Sequence, residues 1–243
     1  MPITNIIQIP NDKLPKKQQP IKEKMDIYVP NIIEGISRRN GMIYGLIGSG
    51  GSGKTSLLLN MFKSTKMYKS KFHNIFYICP NSSFSSVEKH PFSDHEKVYH
   101  DLTIELLESI YDQLVDIKEN AEEIEYSCVI FDDQADALKN NDIQKYLNKM
   151  LIKSRHLQCG FIFTLQGYYY MPKILRKQFT YVTIFKPNNA EEWTAITKEV
   201  LHMNIDDGET LYDFVYDQDY SHLDIDLKDD KLYKNFNLLQ ISK

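Results

Sequence analysis

The sequence predicts an α/β fold, in which a mostly parallel sheet carries helices on both faces and an antiparallel hairpin lies near the C-terminus. Two observations lead to this prediction. Short apolar runs alternate with helical patterns from residue 42 onward, and a glycine-rich loop joins the first run to the first helix. Strands that alternate with helices form parallel sheets with right-handed crossovers, because each helix must pack back onto the sheet.

Five apolar runs are the predicted parallel strands. They are rich in Ile, Val, Phe and Tyr and do not alternate with polar residues, which is typical of strands covered on both faces. The runs are Met42–Ile47, Asn74–Cys79, Tyr126–Phe131, Phe161–Leu165 and Tyr181–Phe185. Between them, Thr103–Lys118 and Asp142–Lys153 each place apolar residues on one helical face, so both are predicted helices.

After Pro187 the pattern changes. Asn189–Leu201 is predicted to be a helix, and Leu211–Asp217 and His222–Lys228 are predicted to be strands. The second of these strands alternates strictly between apolar and polar residues, as expected for a strand with one exposed face. We therefore expect the two strands to form an antiparallel hairpin, with a turn at 217–221, that caps the edge of the sheet.

The first residues differ in composition from the rest of the chain. Residues 1–24 hold four prolines and five lysines, which predicts an extended, flexible arm. Residues 25–243 are predicted to form a single domain, with its core at about 40–187 and the C-terminal helix and hairpin at 188–243.

Composition and charge restrict the function. No apolar run reaches the ~18–20 residues that span a bilayer, and no secretory signal is visible, so we expect an intracellular protein without a membrane partner. Three scattered cysteines, Cys79, Cys128 and Cys159, indicate buried thiols in a reducing compartment. The net charge of −4 disfavours a protein that coats nucleic acid non-specifically. Segment 204–230 holds ten acidic residues and one lysine, so the remainder is net positive.

Residues 48–55 match the phosphate-loop pattern G-x-x-x-x-G-K-[ST] between a predicted strand and a predicted helix. In such a loop the backbone N–H groups surround an anion, and the positive end of the helix dipole faces it. Lys54 is predicted to reach the β- and γ-phosphates, and the Thr55 hydroxyl to bind Mg²⁺. The predicted nucleotide-binding residues are Gly48, Ser49, Gly50, Gly51, Ser52, Gly53, Lys54, Thr55 and Ser56.

Two carboxylates follow the predicted strand Tyr126–Phe131. A phosphate-loop enzyme needs an acid at the tip of a buried strand to hold Mg²⁺, and Asp132 is in that position. Asp133, the next residue, is placed to act as the general base that polarises the attacking water.

Gln166 ends the next predicted strand. Its amide is predicted to hydrogen-bond both the attacking water and the γ-phosphate, and so to sense whether that phosphate is present. Arg155, just before the same strand, is the first candidate for a guanidinium that stabilises the transferring phosphoryl group, often supplied by a neighbouring subunit. Arg176, in the loop after Gln166, is the competing candidate.

Several other classes of phosphate-loop protein lack support. The base-reading N-K-x-D of GTPases and the L-S-G-G-Q of ABC transporters are missing, and no arginine-rich kinase lid is evident. The spacing of His90, His95 and His100 fits neither one face of a helix nor one face of a strand, which argues against a metal site.

These residues together resemble the FtsK/HerA superfamily of DNA-pumping ATPases. Within it, the sequence is similar to the genome-packaging ATPases of poxviruses, other large DNA viruses and virophages. The resemblance covers roughly residues 40–187 and depends on the order of its motifs along the chain. These motifs are Gly48–Thr55, Asp132-Asp133, Arg155-His156, Gln166 and the strand Tyr181–Phe185.

The resemblance implies a RecA/FtsK-like fold and an ATPase that uses Mg²⁺ to drive double-stranded DNA into a capsid. It implies a ring of five or six subunits, a capsid component as partner, and a location in the host-cell cytoplasm and in the virion. The implied catalytic residues are Lys54, Asp132, Asp133 and Gln166 in one subunit and Arg155 from its neighbour. The alternatives are a small-molecule kinase or NTPase, and a nucleotide-dependent regulatory switch with little turnover.

Double-stranded DNA has one predicted contact site. Lys63, Lys66, Lys69 and Lys71 follow the first helix and are interleaved with Met67 and Tyr68. Such a cluster could hold phosphates without reading sequence. The lysines of the N-terminal arm are the alternative.

Overall fold

The computed structural model describes residues 2–9, 42–64, 67–87 and 90–242. Their strands form one sheet of ten, in the order β1-β10-β9-β8-β7-β2-β6-β5-β3-β4. The strands are β1 (Asn5–Ile9), β2 (Met42–Ile47), β3 (Asn74–Ile78), β4 (Val98–Tyr99), β5 (Ser127–Phe131), β6 (Cys159–Leu165), β7 (Tyr181–Phe185), β8 (His222–Asp226), β9 (Lys231–Lys234) and β10 (Asn237–Ser242). The strands from β7 to β4 are parallel and the others are antiparallel.

Helices cover both faces of the sheet, as predicted. They are α1 (Lys54–Lys63), α2 (Asn81–Ser85), α3 (Ile104–Asn120), α4 (Asn141–Ile152), α5 (Lys173–Arg176), α6 (Ala190–Glu199) and α7 (Ile205–Val215). Along β2, Ile43 and Ile47 pack with α3, α4, α6 and α7, whereas Tyr44 and Leu46 pack with α1. This alternation divides the interior into two cores, one on each face.

The five predicted parallel strands are confirmed. Every residue of β2, β5, β6 and β7 is buried, which explains why these runs are apolar throughout. The predicted helices at 103–118, 142–153 and 189–201 correspond to α3, α4 and α6. Cys79, Cys128 and Cys159 are buried and unpaired, also as predicted.

The predicted strand Leu211–Asp217 is wrong, because these residues belong mainly to helix α7. Asn204 caps that helix by accepting a hydrogen bond from the Asp207 N–H at 2.9 Å. Leu211 and Val215, four residues apart, are its fully buried positions. The tyrosine and phenylalanine residues of 211–217 resemble a strand over a short window, but the helical period starts earlier, at the cap.

An antiparallel hairpin lies near the C-terminus, as predicted, but it pairs β8 with β9 and not residues 211–217 with 222–228, and β8 is not at the edge of the sheet. β8 pairs with β7 on one side and with β9 on the other, so both of its edges are paired, and all five of its residues are buried. Asp224, a polar position of the alternating run, is completely buried and accepts hydrogen bonds from Thr183 Oγ1, His222 Nδ1 and the Phe236 N–H. These donors satisfy a buried carboxylate within an interior strand.

Asn5–Ile9, predicted to belong to a flexible arm, are extended but are part of the sheet. These residues form β1, which pairs with β10 along its whole length. Ile3 extends the contact, because its N–H donates to Asp207 Oδ1 at 2.6 Å. The remainder of the arm, residues 10–24, lies outside the described residues. Within the described ranges no helix has both the length and the apolar sequence needed to cross a membrane.

Candidate nucleotide-binding site

The phosphate loop connects β2 to α1 at the carboxyl edge of the parallel strands. Gly51 and Gly53 have φ angles of 77° and 100°, which glycine adopts without the steric cost that a side chain would impose. Gly53 is also the N-cap of α1 and provides no side chain to cap the helix. The first N–H groups of α1 therefore remain available to an anion, as the motif predicts.

Lys54 lies across this loop. Its Nζ donates a hydrogen bond to the Ser49 carbonyl at 2.8 Å, so the ammonium group is positioned over the space that the loop encloses. Burial lowers the pKa of Lys54, and the nearby carboxylates Asp132 and Asp133 partly oppose that change. A bound phosphate would add negative charge beside Lys54 and favour its charged form.

Asp132 follows β5 and is almost completely buried, with 2% of its surface exposed. The Tyr77 hydroxyl donates to its Oδ2 and the Thr164 hydroxyl donates to its Oδ1. Burial raises the pKa of Asp132, and these two hydrogen bonds together with the charge of Lys54 act in the opposite direction. The carboxylate is therefore held in one orientation, at the same edge of the sheet as the phosphate loop.

Asp133 differs from Asp132 because its side chain is exposed. Its Oδ1 accepts a hydrogen bond from Gln166 Nε2 at 3.1 Å, and its Oδ2 accepts one from Ser83 Oγ at 2.8 Å. Its N–H donates to Thr164 Oγ1 at 3.0 Å. The structure thus brings Asp133 and Gln166 into direct contact at the edge where Lys54 lies.

The order of the strands explains this meeting. β6 lies between β2 and β5, and all three are parallel. Gln166 at the end of β6 is therefore between the phosphate loop and the two acids. This is the geometry that the sequence predicts for a residue that contacts both a γ-phosphate and an attacking water.

The structure does not bring Arg155 to this edge. Arg155 is exposed on the turn between α4 and β6, at the amino end of the strand that Gln166 terminates. The seven residues of β6, at about 3.3 Å each, separate the two by roughly 20 Å. Arg155 therefore cannot contact a phosphate bound in its own subunit.

Arg176 is held in place by aromatic rings. Its guanidinium lies 4.6 Å and 4.7 Å from the ring centroids of Tyr168 and Tyr169. Its Nη1 is buried and has no hydrogen-bond partner among the described residues. A guanidinium packed in this way would have to leave two ring contacts before it could act on a phosphate.

Comparison with known protein families identifies the family of this chain. The model described as poxvirus A32 protein matches residues 38–206, which is more than two thirds of the chain. This protein belongs to the poxvirus A32 protein family. No curated protein sequence matches it significantly.

Solved structures resemble this A32-family chain in fold. The DNA-packaging ATPase B204 of Sulfolobus turreted icosahedral virus has a TM-score of 0.60 at 18% identity, covering 84% of this chain and 98% of its own. The genome-packaging NTPase B204 of Sulfolobus turreted icosahedral virus 2, in complex with ATP-γS, has a TM-score of 0.55 at 18% identity, with 84% and 97% covered. EssC ATPases 2 and 3 of Geobacillus thermodenitrificans have a TM-score of 0.55 at 15% identity, with 85% and 40% covered.

The sequence prediction missed three residues that support the site of this A32-family chain. Tyr77 and Thr164 hold Asp132, and Ser83 at α2 holds Asp133. A polar threonine within the apolar run Phe161–Leu165 was the one available signal, because a polar side chain in a buried strand needs a partner. Tyr77 and Ser83 carry no such signal, since their sequence neighbours give no information about a carboxylate about 50 residues away.

Two glycines of the loop are expected to differ in their tolerance of alanine. A Cβ at position 48 would lie 2.6 Å from Ser52 Oγ and 2.7 Å from Phe185 Cβ, whereas one at Gly50 would meet nothing within 4 Å. Gly48→Ala should therefore lower the free energy of unfolding by about 1–3 kcal/mol. Gly50→Ala, the matched control, should change it by less than about 0.5 kcal/mol. Urea unfolding without nucleotide measures both, and equal losses would contradict the packing argument.

Proposed function

We propose that this protein is an ATPase that uses ATP hydrolysis to move double-stranded viral DNA into a capsid. The observation that carries the proposal is the hydrogen bond between Gln166 and Asp133 beside the loop of Lys54. It joins a candidate base to a candidate sensor, and the strands that precede them, β5 and β6, lie next to β2, which leads into the phosphate-binding loop. Membership of the A32 family and the fold shared with packaging ATPases support the DNA-moving role.

In this proposal ATP binds with its triphosphate in the loop. The N–H groups at the start of α1 and the Lys54 ammonium neutralise the β- and γ-phosphates. The Thr55 hydroxyl and the Asp132 carboxylate are oxygen donors of the kind that Mg²⁺ prefers, and Asp132 is already fixed by Tyr77 and Thr164. Those two residues would hold the ion, and the ion would supply charge neutralisation at the phosphates.

Asp133 is proposed to accept the proton of the attacking water. Its carboxylate is exposed to solvent, and Gln166 contacts one of its oxygens. When a γ-phosphate is present, the Gln166 amide has a second anion to bind. If Gln166 leaves Asp133 to bind the phosphate, the Asp133 oxygen becomes free to accept a proton from water. Base catalysis by Asp133 would then depend on the presence of substrate.

We also propose that the protein acts as a ring of subunits, five or six in number, in which Arg155 completes the site of its neighbour. The support is the position of Arg155, which lies about 20 Å from Gln166 of the same subunit along the length of β6. A capsid component is the proposed partner, and the host-cell cytoplasm and the virion are the proposed locations.

The lysine cluster stays a prediction for the DNA contact. Lys63, Lys69 and Lys71 are exposed, as a phosphate contact requires, and Lys66 lies outside the described residues. Tyr68, however, is buried with 1% of its surface exposed, so it belongs to the core and is not offered to DNA.

DNA-stimulated phosphate release tests the function. We expect linear double-stranded DNA to raise the rate of ATP hydrolysis, and we expect the stimulation to decline with salt because phosphate contacts release counterions. Lys54→Ala should show neither basal nor stimulated hydrolysis. Hydrolysis that responds to a small-molecule acceptor and not to DNA would favour a kinase, and nucleotide binding without turnover would favour a switch.

A further inference from the structure

A cavity opens beside the phosphate loop, on the side away from the two acids. Its volume is about 570 Å³, and its walls include the first residues of α1 together with Leu57, Phe185, Tyr220 and His222. Phe185 ends β7 and pairs with His222 at the start of β8, so both lie at the same edge of the sheet as the loop. A cavity of this size is sufficient for a nucleoside.

The strand order gives the direction in which a nucleotide lies. β2, which carries the loop, has β6 on one side and β7 on the other. The γ-phosphate must face Gln166 and the acids, which are on the β6 side. The opposite end of the molecule, the nucleoside, must therefore extend towards β7 and β8, where the cavity is.

Tyr220 has the chemistry of a base-stacking platform. It is 71% exposed, the highest value for a large apolar side chain among the described residues. Its ring nevertheless lies close to the loop, because a Cβ at Gly53 would be 3.3 Å from Tyr220 Cδ1 and 3.6 Å from Phe185 Cε1. An aromatic face left in solvent beside a phosphate site is suited to a planar base, whose burial against the ring removes apolar surface from water.

His222 adds a polar group to the same wall. Its Nδ1 is 2.9 Å from Asp224 Oδ1, and Asp224 is buried and held by two further donors. This contact fixes the ring in the wall of the cavity. A fixed imidazole nitrogen suits a ribose hydroxyl or a polar edge of a base.

We propose that the nucleoside of the bound nucleotide occupies this cavity and that its base stacks on Tyr220. The inference rests on the proposed function only in requiring that the loop binds a nucleoside triphosphate. Because every base has a stacking face, Tyr220 contributes to the affinity for nucleotides in general and discriminates weakly between purines.

The test separates the nucleoside from the phosphates. Binding of ATP-γS and of inorganic tripolyphosphate, each with Mg²⁺, is measured for the wild-type protein and for Tyr220→Ala. We expect Tyr220→Ala to weaken ATP-γS binding roughly tenfold, since stacking on an aromatic side chain is worth about that factor. Tripolyphosphate has no base, and its affinity should stay within about twofold of the wild-type value.

Two variants serve as controls. Tyr220→Phe keeps the ring and should bind ATP-γS as the wild type does. Tyr169→Ala removes another tyrosine, 53% exposed but outside the cavity, and should leave both ligands unaffected. Tyr220 has a φ of 61°, and both replacements carry a Cβ, so backbone strain at this position does not differ between them.

The outcomes are distinguishable. Unchanged ATP-γS binding in Tyr220→Ala would overturn the inference, and so would an equal loss for both ligands, because the ring would then act on the loop and not on the base. Failure of the wild-type protein to bind ATP-γS at all would instead overturn the proposed function.

Discussion

Asp133→Asn is expected to lower ATP turnover by a factor of roughly 10²–10⁴ while leaving ATP and Mg²⁺ binding close to the wild-type level. The amide keeps the shape of the side chain, and its Oδ1 can still accept the hydrogen bond from Gln166 Nε2. What it loses is the basic oxygen that takes a proton from water. Steady-state phosphate release measures turnover, and titration with ATP-γS measures binding.

The controls for this prediction use neighbouring residues. Lys54→Ala should lose both binding and turnover, because it removes the positive charge from the loop. Ser83→Ala removes the other hydrogen bond to Asp133 and retains the carboxylate, so its turnover should stay well above that of Asp133→Asn. A near-wild-type rate in Asp133→Asn would show that Asp133 is not the base.

Arg155→Ala is expected to lower turnover by a factor of roughly 10³–10⁵, the effect of removing an arginine finger. Since Arg155 cannot reach the phosphates of its own subunit, mixing Arg155→Ala subunits with Lys54→Ala subunits should restore part of the lost turnover. An Arg155→Ala subunit has an intact loop, and a Lys54→Ala subunit has an intact arginine. In an equimolar mixed ring about a quarter of the interfaces would pair the two intact halves, so activity should recover to a comparable fraction of the wild-type rate.

Arg176 provides the comparison for this experiment. Its guanidinium is packed on Tyr168 and Tyr169, so we expect Arg176→Ala alone to retain turnover, which leaves no lost activity for Lys54→Ala subunits to restore on mixing. The recovery with Arg155→Ala should also rise with protein concentration, because the ring must assemble first. Recovery with Arg176→Ala and none with Arg155→Ala would make Arg176 the finger.

The parallel part of the fold could be predicted because each of its strands is marked by residues that are neighbours in the sequence. Each buried strand is an unbroken apolar run, and the polar residues that follow it, such as Asp132 and Gln166, mark its carboxyl end. Parallel strands bring those ends to one edge, so motifs far apart in sequence could be expected to meet. The same reasoning could not find Tyr77, because its contact with Asp132 depends on which strands are neighbours.

The antiparallel part could not be predicted for a physical reason. Alternation in His222–Lys228 indicates a solvent face only if nothing packs on the polar side of the strand, yet every residue of β8 is buried and Asp224 completely so. The acid Asp224 is stabilised inside by its strand neighbour His222, by Thr183 on β7 and by the Phe236 N–H in the turn after β9. Tyr220 could not be recognised as a site residue either, because the phosphate loop that it lies beside is more than 160 residues away in the sequence.

The pairing of β1 with β10 has a consequence for the order in which this protein is made. Asn5 pairs with Ser242, so β1 cannot pair until β10 has been synthesised 237 residues later. At about 5–20 residues per second, translation of the intervening chain takes roughly 10–50 s. During that interval Asn5–Ile9 has no strand to join, and the nucleotide site assembled from β2, β5 and β6 can form first. The pairing of β1 with β10 can therefore follow the formation of the catalytic edge, whose strands are all synthesised between them.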